Sequence, residues 1–173
     1  NYLFLLDENL KQLGSLRNLA AGEEIYAARY VGDIAYFITY HNTDPLFAVN
    51  ISDPKNPKLL GQLKVTGFSD YLHPYGENRL LGIGYETDPK TSETLGIKLT
   101  MFDTSDPKNL KVLDTVTMKG DYCPAAAYYK CAMVDVSKNL IGFEVTDWGN
   151  GNGETDSSSY QVYSWETDHF VKQ

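Results

Sequence analysis

Residues 47–63 read FAVNISDPKNPKLLGQL, and residues 101–116 read MFDTSDPKNLKVLDTV. The shared core, Ser52-Asp53-Pro54-Lys55-Asn56, returns as Ser105-Asp106-Pro107-Lys108-Asn109 at a spacing of 53. Each copy lies between two apolar, strand-like runs. Asp53 and Asp106 can accept hydrogen bonds from backbone N–H groups two residues on, and Pro54 and Pro107 fix φ near −65°. The core is therefore a turn between two outer strands, and its proline blunts an exposed sheet edge. A period of about 50 residues with several short strands in each points to radially repeated β-sheets, a propeller-type architecture.

Weaker copies emerge on either side. Leu10-Lys11-Gln12-Leu13-Gly14 stands where Pro57-Lys58-Leu59-Leu60-Gly61 and Leu110-Lys111-Val112-Leu113-Asp114 stand, and Tyr160–Trp165 followed by Phe170–Lys172 matches again. Residues 29–38, 72–83 and 133–143 each read as two apolar runs around turn residues, the hairpin signal. Each unit is thus a four-stranded antiparallel meander, at about 25–65, 68–118 and 126–173, with a half blade at 1–17. The fold class is all-β: one partial β-propeller domain of roughly three and a half blades. Residues 8–20 are the best helical candidate, but the repeat overrules it. Propellers close with about four to eight blades. A piece of a larger propeller is the expectation; the alternative is a four-bladed ring in which residues 2–17 supply the missing edge pairs. Open blade edges predict self-association of the isolated chain.

Composition narrows the partners. Of 173 residues 42% are apolar and 13 are Tyr, which suits half-buried strands. The net charge of −8, without any basic run, argues against nucleic acid and against an anionic membrane surface. No apolar stretch approaches the 18 or so residues of a spanning helix, so membrane insertion is not expected. The chain opens in an apolar run without Met, so a missing native N-terminus is expected.

The run VGDIAYFITYHNTDPLFAVNISDPKNPKLLGQLKVTGFSDYLHPYGENRLLGIGYETD (31–88), with GIKLTMFDTSDPKNLKVLD (96–114), resembles secreted bacterial and archaeal proteins with a C-terminal β-propeller distantly related to WD40 repeats. The likeness covers most of residues 25–147. It implies a secreted or cell-surface location and a longer parent protein, and it brings no catalytic residues. Segment 123–134 (CPAAAYYKCAMV) departs from the pattern.

Candidate chemistry is sparse. His41, His73 and His169 fall in different units, with no HxH or HExxH spacing. His73, at the end of an innermost-type strand, forms with Arg29 and Tyr71 the best candidate binding group, against a purely structural role for the histidine. Residues 147–159 carry oxygen donors in Asp147, Asn150, Asn152, Glu154 and Asp156, but Gly149 and Gly151 break the EF-hand spacing. A solvated hairpin connection is the expectation there, with no metal. Cys123 and Cys131 would lie roughly 26 Å apart if the chain between them were extended. A disulfide, limited to about 7 Å between Cα atoms, needs a turn that Pro124-Ala125-Ala126 can supply; two unpaired thiols are the other reading. No nucleophile elbow, phosphate loop or dinucleotide fingerprint occurs, and Asn50-Ile51-Ser52 is a chance sequon. A non-catalytic binding or scaffolding module, without cofactor, is therefore expected, with protein or surface glycan as partner. Long loops at 84–96 and 147–159 should share one rim. The alternative is a polysaccharide-active hydrolase or lyase working at the channel mouth.

Overall fold

A computed structural model of the chain describes residues 1–40, 44–149 and 155–173. Strands β1 (Tyr2–Leu6) and β2 (Gln12–Arg17) form a two-stranded antiparallel sheet. Three four-stranded antiparallel meanders follow. The second sheet holds β3 (Glu24–Val31), β4 (Ile34–Tyr40), β5 (Asp44–Asn50) and β6 (Lys58–Val65). The third holds β7 (Phe68–Pro74), β8 (Arg79–Thr87), β9 (Thr94–Asp103) and β10 (Lys111–Met118). The fourth holds β11 (Met133–Asp135), β12 (Leu140–Asp147), β13 (Ser157–Glu166) and β14 (His169–Lys172).

Burial on both faces explains the apolar runs of the middle strands. In the second sheet Ala35, Phe37, Phe47 and Val49 pack back onto Leu3, Leu16 and Leu19. Their alternates Tyr36, Ile38, Leu46 and Ala48 pack forward onto Leu72, Leu80 and Phe102 of the third. Leu81, Ile83, Leu99 and Met101 in turn meet Ile141, Phe143, Val145 and Tyr163 of the fourth. The sheets therefore stack serially, each contributing one face to the core before it and one to the core after it.

The repeated turn does more than reverse the chain. Asp53 Oδ1 accepts from Lys55 N and Asp106 Oδ1 from Lys108 N, both at 3.0 Å. In the outer strands β2, β6 and β10 the register slips by one residue, leaving Leu13, Leu60 and Leu113 unopposed as β-bulges. Gly14 and Gly61 follow the first two. A Cβ on Gly61 would lie 2.6 Å from Pro107 O, and one on Gly14 would collide with Pro54 O. Each Pro-Lys turn thus seats on the glycine of the sheet before it. In the third sheet Asp114 holds that position, and its Oδ2 accepts from Phe170 N of the fourth sheet at 2.8 Å.

The fourth sheet departs from the repeat. Its first strand starts only at Met133, because residues 126–131, expected inside the blade, belong to a short helix α1 (Pro124–Ala127) and a 3-10 turn (Tyr129–Cys131). Helix α1, with Pro124 in its first turn, buries Ala125 and Ala126 and packs against β7 and β12. The turn that a disulfide would need is present, yet it buries Cys123 and exposes Cys131, and both are free thiols. Asn139, in the left-handed region at φ 54°, ties the last two sheets together. Its Oδ1 accepts from Tyr75 OH at 2.7 Å and from Trp165 N at 2.9 Å, and its Nδ2 donates to Trp165 O at 3.0 Å.

Candidate functional site

The first strands of the second and third sheets, β3 and β7, lie side by side, and this brings Arg29, Tyr71 and His73 together. Period-2 alternation places Tyr71 and His73 on one face of β7. Tyr71 OH and His73 Nδ1 are 2.6 Å apart, within one hydrogen bond. Arg29 reaches across from β3. Its Nε donates to Leu72 O at 2.8 Å, and its guanidinium carbon stands 5.6 Å from the centroid of the Tyr71 ring, a cation–π contact.

The electrostatics follow from this packing. Tyr71 is 8% exposed; burial pushes its pKa up, and the charge and hydrogen bonding of Arg29 oppose the rise without cancelling it. Burial first, and the Arg29 charge second, hold His73 below its ordinary value. At neutral pH the imidazole is therefore neutral, with one nitrogen donating and one accepting. Among the described residues no carboxylate forms an ion pair with Arg29. The cluster presents one fixed positive charge beside a neutral Tyr–His pair.

Sequence reasoning missed one further contributor, Tyr129, and a perturbed acid on the same strand, Asp70, which acts on other residues. Asp70 occupies a bulge in β7, between the pairs Ser69–Gly84 and Tyr71–Ile83. It is half-buried, and burial raises its carboxyl pKa to about 6. It acts electrostatically on Tyr85 and Cys123. The only signal in the sequence is an Asp inside an apolar strand, where that residue is depleted. Tyr129, exposed on the 3-10 turn, acts on Tyr71 from the segment that breaks the repeat, and Lys130 Nζ lies 5.9 Å from its ring centroid.

The other candidates stand apart. His169 is exposed on β14, 3.2 Å from Asp168, and His41 lies outside the described residues. Asn150, Asn152 and Glu154 of the acidic loop also lie outside them. Asp147 is engaged by Lys119 Nζ at 2.9 Å and by Gly149 N. Among the described residues no three His, Cys, Asp or Glu side chains are grouped to hold a metal ion. Clefts between the second and third sheets, one beside Arg79 and Thr104 and one beside Lys98 and Thr115, measure about 210 and 250 Å³. Pockets that engulf small molecules are typically about 300–1,000 Å³, so both are small for that role, and neither is lined by Arg29, Tyr71 or His73.

A protein of Methanocaldococcus jannaschii, the uncharacterized protein MJ1554, is 42% identical over 135 residues, covering 78% of this chain and 21% of its own. An uncharacterized protein of Archaeoglobus fulgidus is 42% identical over 106 residues, covering 61% of this chain and 16% of its own. The chain thus spans about a fifth of the length of the curated relatives it matches. Among solved structures, the N-terminal domain of Nup159 is similar at 6% identity and a TM-score of 0.29, over 87% of this chain and 47% of that one. The family model for the beta propeller domain matches residues 1–173, and the chain belongs to that family.

Proposed function

We propose that this chain is part of a non-catalytic binding or scaffolding module, secreted or on the cell surface. It engages an anionic group on a protein or surface-glycan ligand through Arg29, Tyr71 and His73. The observation that carries this reading is the half-buried Arg29 guanidinium, fixed by Leu72 O and Tyr71. A cation oriented in advance and lacking a carboxylate partner among the described residues loses little freedom on meeting an anion. The net charge of −8, without a basic run, disfavours nucleic acid. The surface location rests on the resemblance alone.

A second reading, a lyase or hydrolase for anionic polysaccharide, is favoured by one observation. A hydrogen-bonded Tyr–His pair beside an arginine can move a proton next to a neutralised carboxylate. Burial of Tyr71 weighs against it. Titration with polygalacturonate, poly-glutamate and neutral dextran, followed by NMR, separates the two. The binding reading expects Arg29 and His73 signals to shift with an anionic polymer and not with dextran, and expects Arg29→Ala to weaken binding at least tenfold. Chain shortening or unsaturated products, lost in His73→Ala, would establish the second reading. Failure of both anionic polymers to shift the site would contradict the first.

A further inference from the structure

One stretch of the interface between the second and third sheets is polar, and the repeat shows what has changed there. On the face that β4 and β5 turn to the first sheet, Ala35 pairs with Val49 and Phe37 with Phe47. At the same levels β8 and β9 pair Leu80 with Phe102 and Gly82 with Thr100, then Gly84 with Lys98. Ser69 fills the space over Gly82, where a Cβ would lie 2.5 Å from its Oγ. The Thr100 side opens instead into the cleft of about 250 Å³. Lys98 and Thr100, alternate residues of β9, share this face about 7 Å apart, and Glu86 reaches Lys98 from β8. The Lys98 side chain is 3% exposed; its Nζ donates to Thr66 O and lies 3.5 Å from Glu86 Oε2. Gly67, at φ 62°, makes room for it, since a Cβ there would lie 2.7 Å from Lys98 Nζ. Thr100 is 2% exposed, and its Oγ1 has no hydrogen-bond partner among the described residues. A buried hydroxyl left unpaired is costly, and this one lines the cleft with the ion pair.

We propose that this cleft binds a single neutral sugar ring. The Lys98–Glu86 pair is already balanced in charge. An anion would have to sit against Glu86 and a cation against Lys98, and either would be desolvated beside a like charge. A sugar hydroxyl suits the site better, because one atom both donates and accepts. One hydroxyl donates to the Glu86 carboxylate, which Lys98 holds in place. A neighbouring hydroxyl gives Thr100 Oγ1 the hydrogen bond it otherwise lacks. Val65 and Val112 supply an apolar wall to the same cleft, against which the C–H face of the ring packs. Water takes up about 30 Å³ per molecule in the liquid, so the cleft matches about eight waters, room for one ring but not for a length of chain. The site is separate from the Arg29 cluster, and its ligand carries no charge.

Methyl NMR of the 173-residue chain tests this, by titration with glucose, galactose and mannose at millimolar levels and with acetate and methylammonium as charged probes. The expected result is a shift of the Val65, Thr100 and Val112 methyl signals with at least one sugar and with neither ion, while His73 does not move. Thr100→Val removes only the hydroxyl. It should weaken sugar binding at least tenfold and leave Tm unchanged or higher, because no protein hydrogen bond is lost. Val112→Phe, at an exposed position of β10, keeps every hydroxyl and should block binding by filling the cleft. Silence with all three sugars would leave water as the occupant and overturn the proposal. Equal shifts with acetate or methylammonium would overturn it too, since the cleft would then be a simple ion site. So would a marked fall in Tm for Thr100→Val, which would show that the hydroxyl serves the fold, or undiminished sugar binding in a folded Val112→Phe chain.

Discussion

Gly61 is the residue on which the stacking of the second and third sheets turns. A methyl group there meets the backbone of Pro107 and Lys108 rather than a movable side chain. Relief must come from shifting a turn or parting two sheets. Gly61→Ala is expected to lower stability by about 1–3 kcal/mol, the usual cost of overpacking; an unchanged urea midpoint would contradict the docking. Asp70 makes a second residue-scale prediction. Its pKa rises from 3.8 to about 6 on folding. Between those values the folded chain holds a proton that the unfolded chain has released, so this contribution is full below about pH 4 and is lost as pH rises through about 6. Asp70→Asn should therefore be the more stable form at pH 7, by about 1–3 kcal/mol after allowance for partial exposure. The difference should vanish near pH 4. Urea melts at both pH values check it, and a variant less stable at pH 7 would show that the carboxylate has a stabilising partner.

At the scale of elements, the segment between β10 and β11 separates what the sequence discloses from what it hides. Hairpins and Pro-Lys turns are legible because their chemistry is local: Asp onto its own backbone, proline fixing φ, glycine or asparagine at positive φ. Helix α1 is not legible, since four residues carry no periodicity and it forms only because β7 and β12 give Ala125 and Ala126 somewhere to pack. The candidate site divides in the same way. Arg29, Tyr71 and His73 could be picked out by their place on first strands. Their mutual contacts depend on how β3 meets β7, and Tyr129 arrives from the segment that breaks the repeat. The buried Cys123 and exposed Cys131 predict biphasic modification: with a thiol reagent one equivalent should react rapidly and the second only on unfolding. Two fast equivalents would mean that α1 is not docked. Asn139 links Tyr75, just past β7, to Trp165 of β13 through three hydrogen bonds. Asn139→Ala loses these and strains φ at 54°, so about 2–4 kcal/mol of destabilisation is expected in thermal or urea melts.

At the scale of the whole molecule, a 53-residue echo was enough to reveal serially repeated four-stranded sheets, because each blade must solve the same burial problem with the same strand order. How one blade engages the next was not readable. Leu13-Gly14 and Leu60-Gly61 look like ordinary strand residues until the bulge and the neighbouring turn are seen together. The central claim is that the sheets stack by seating each Pro-Lys turn on the preceding glycine. The NOESY spectrum of the 173-residue chain tests it most directly. The account predicts cross-peaks from the Gly14 Hα protons to Lys55 and from the Gly61 Hα protons to Lys108, alongside the β5–β6 and β9–β10 cross-strand peaks. Cross-strand peaks without the glycine–lysine peaks would mean that the sheets form but do not dock in this way, and the account would fall.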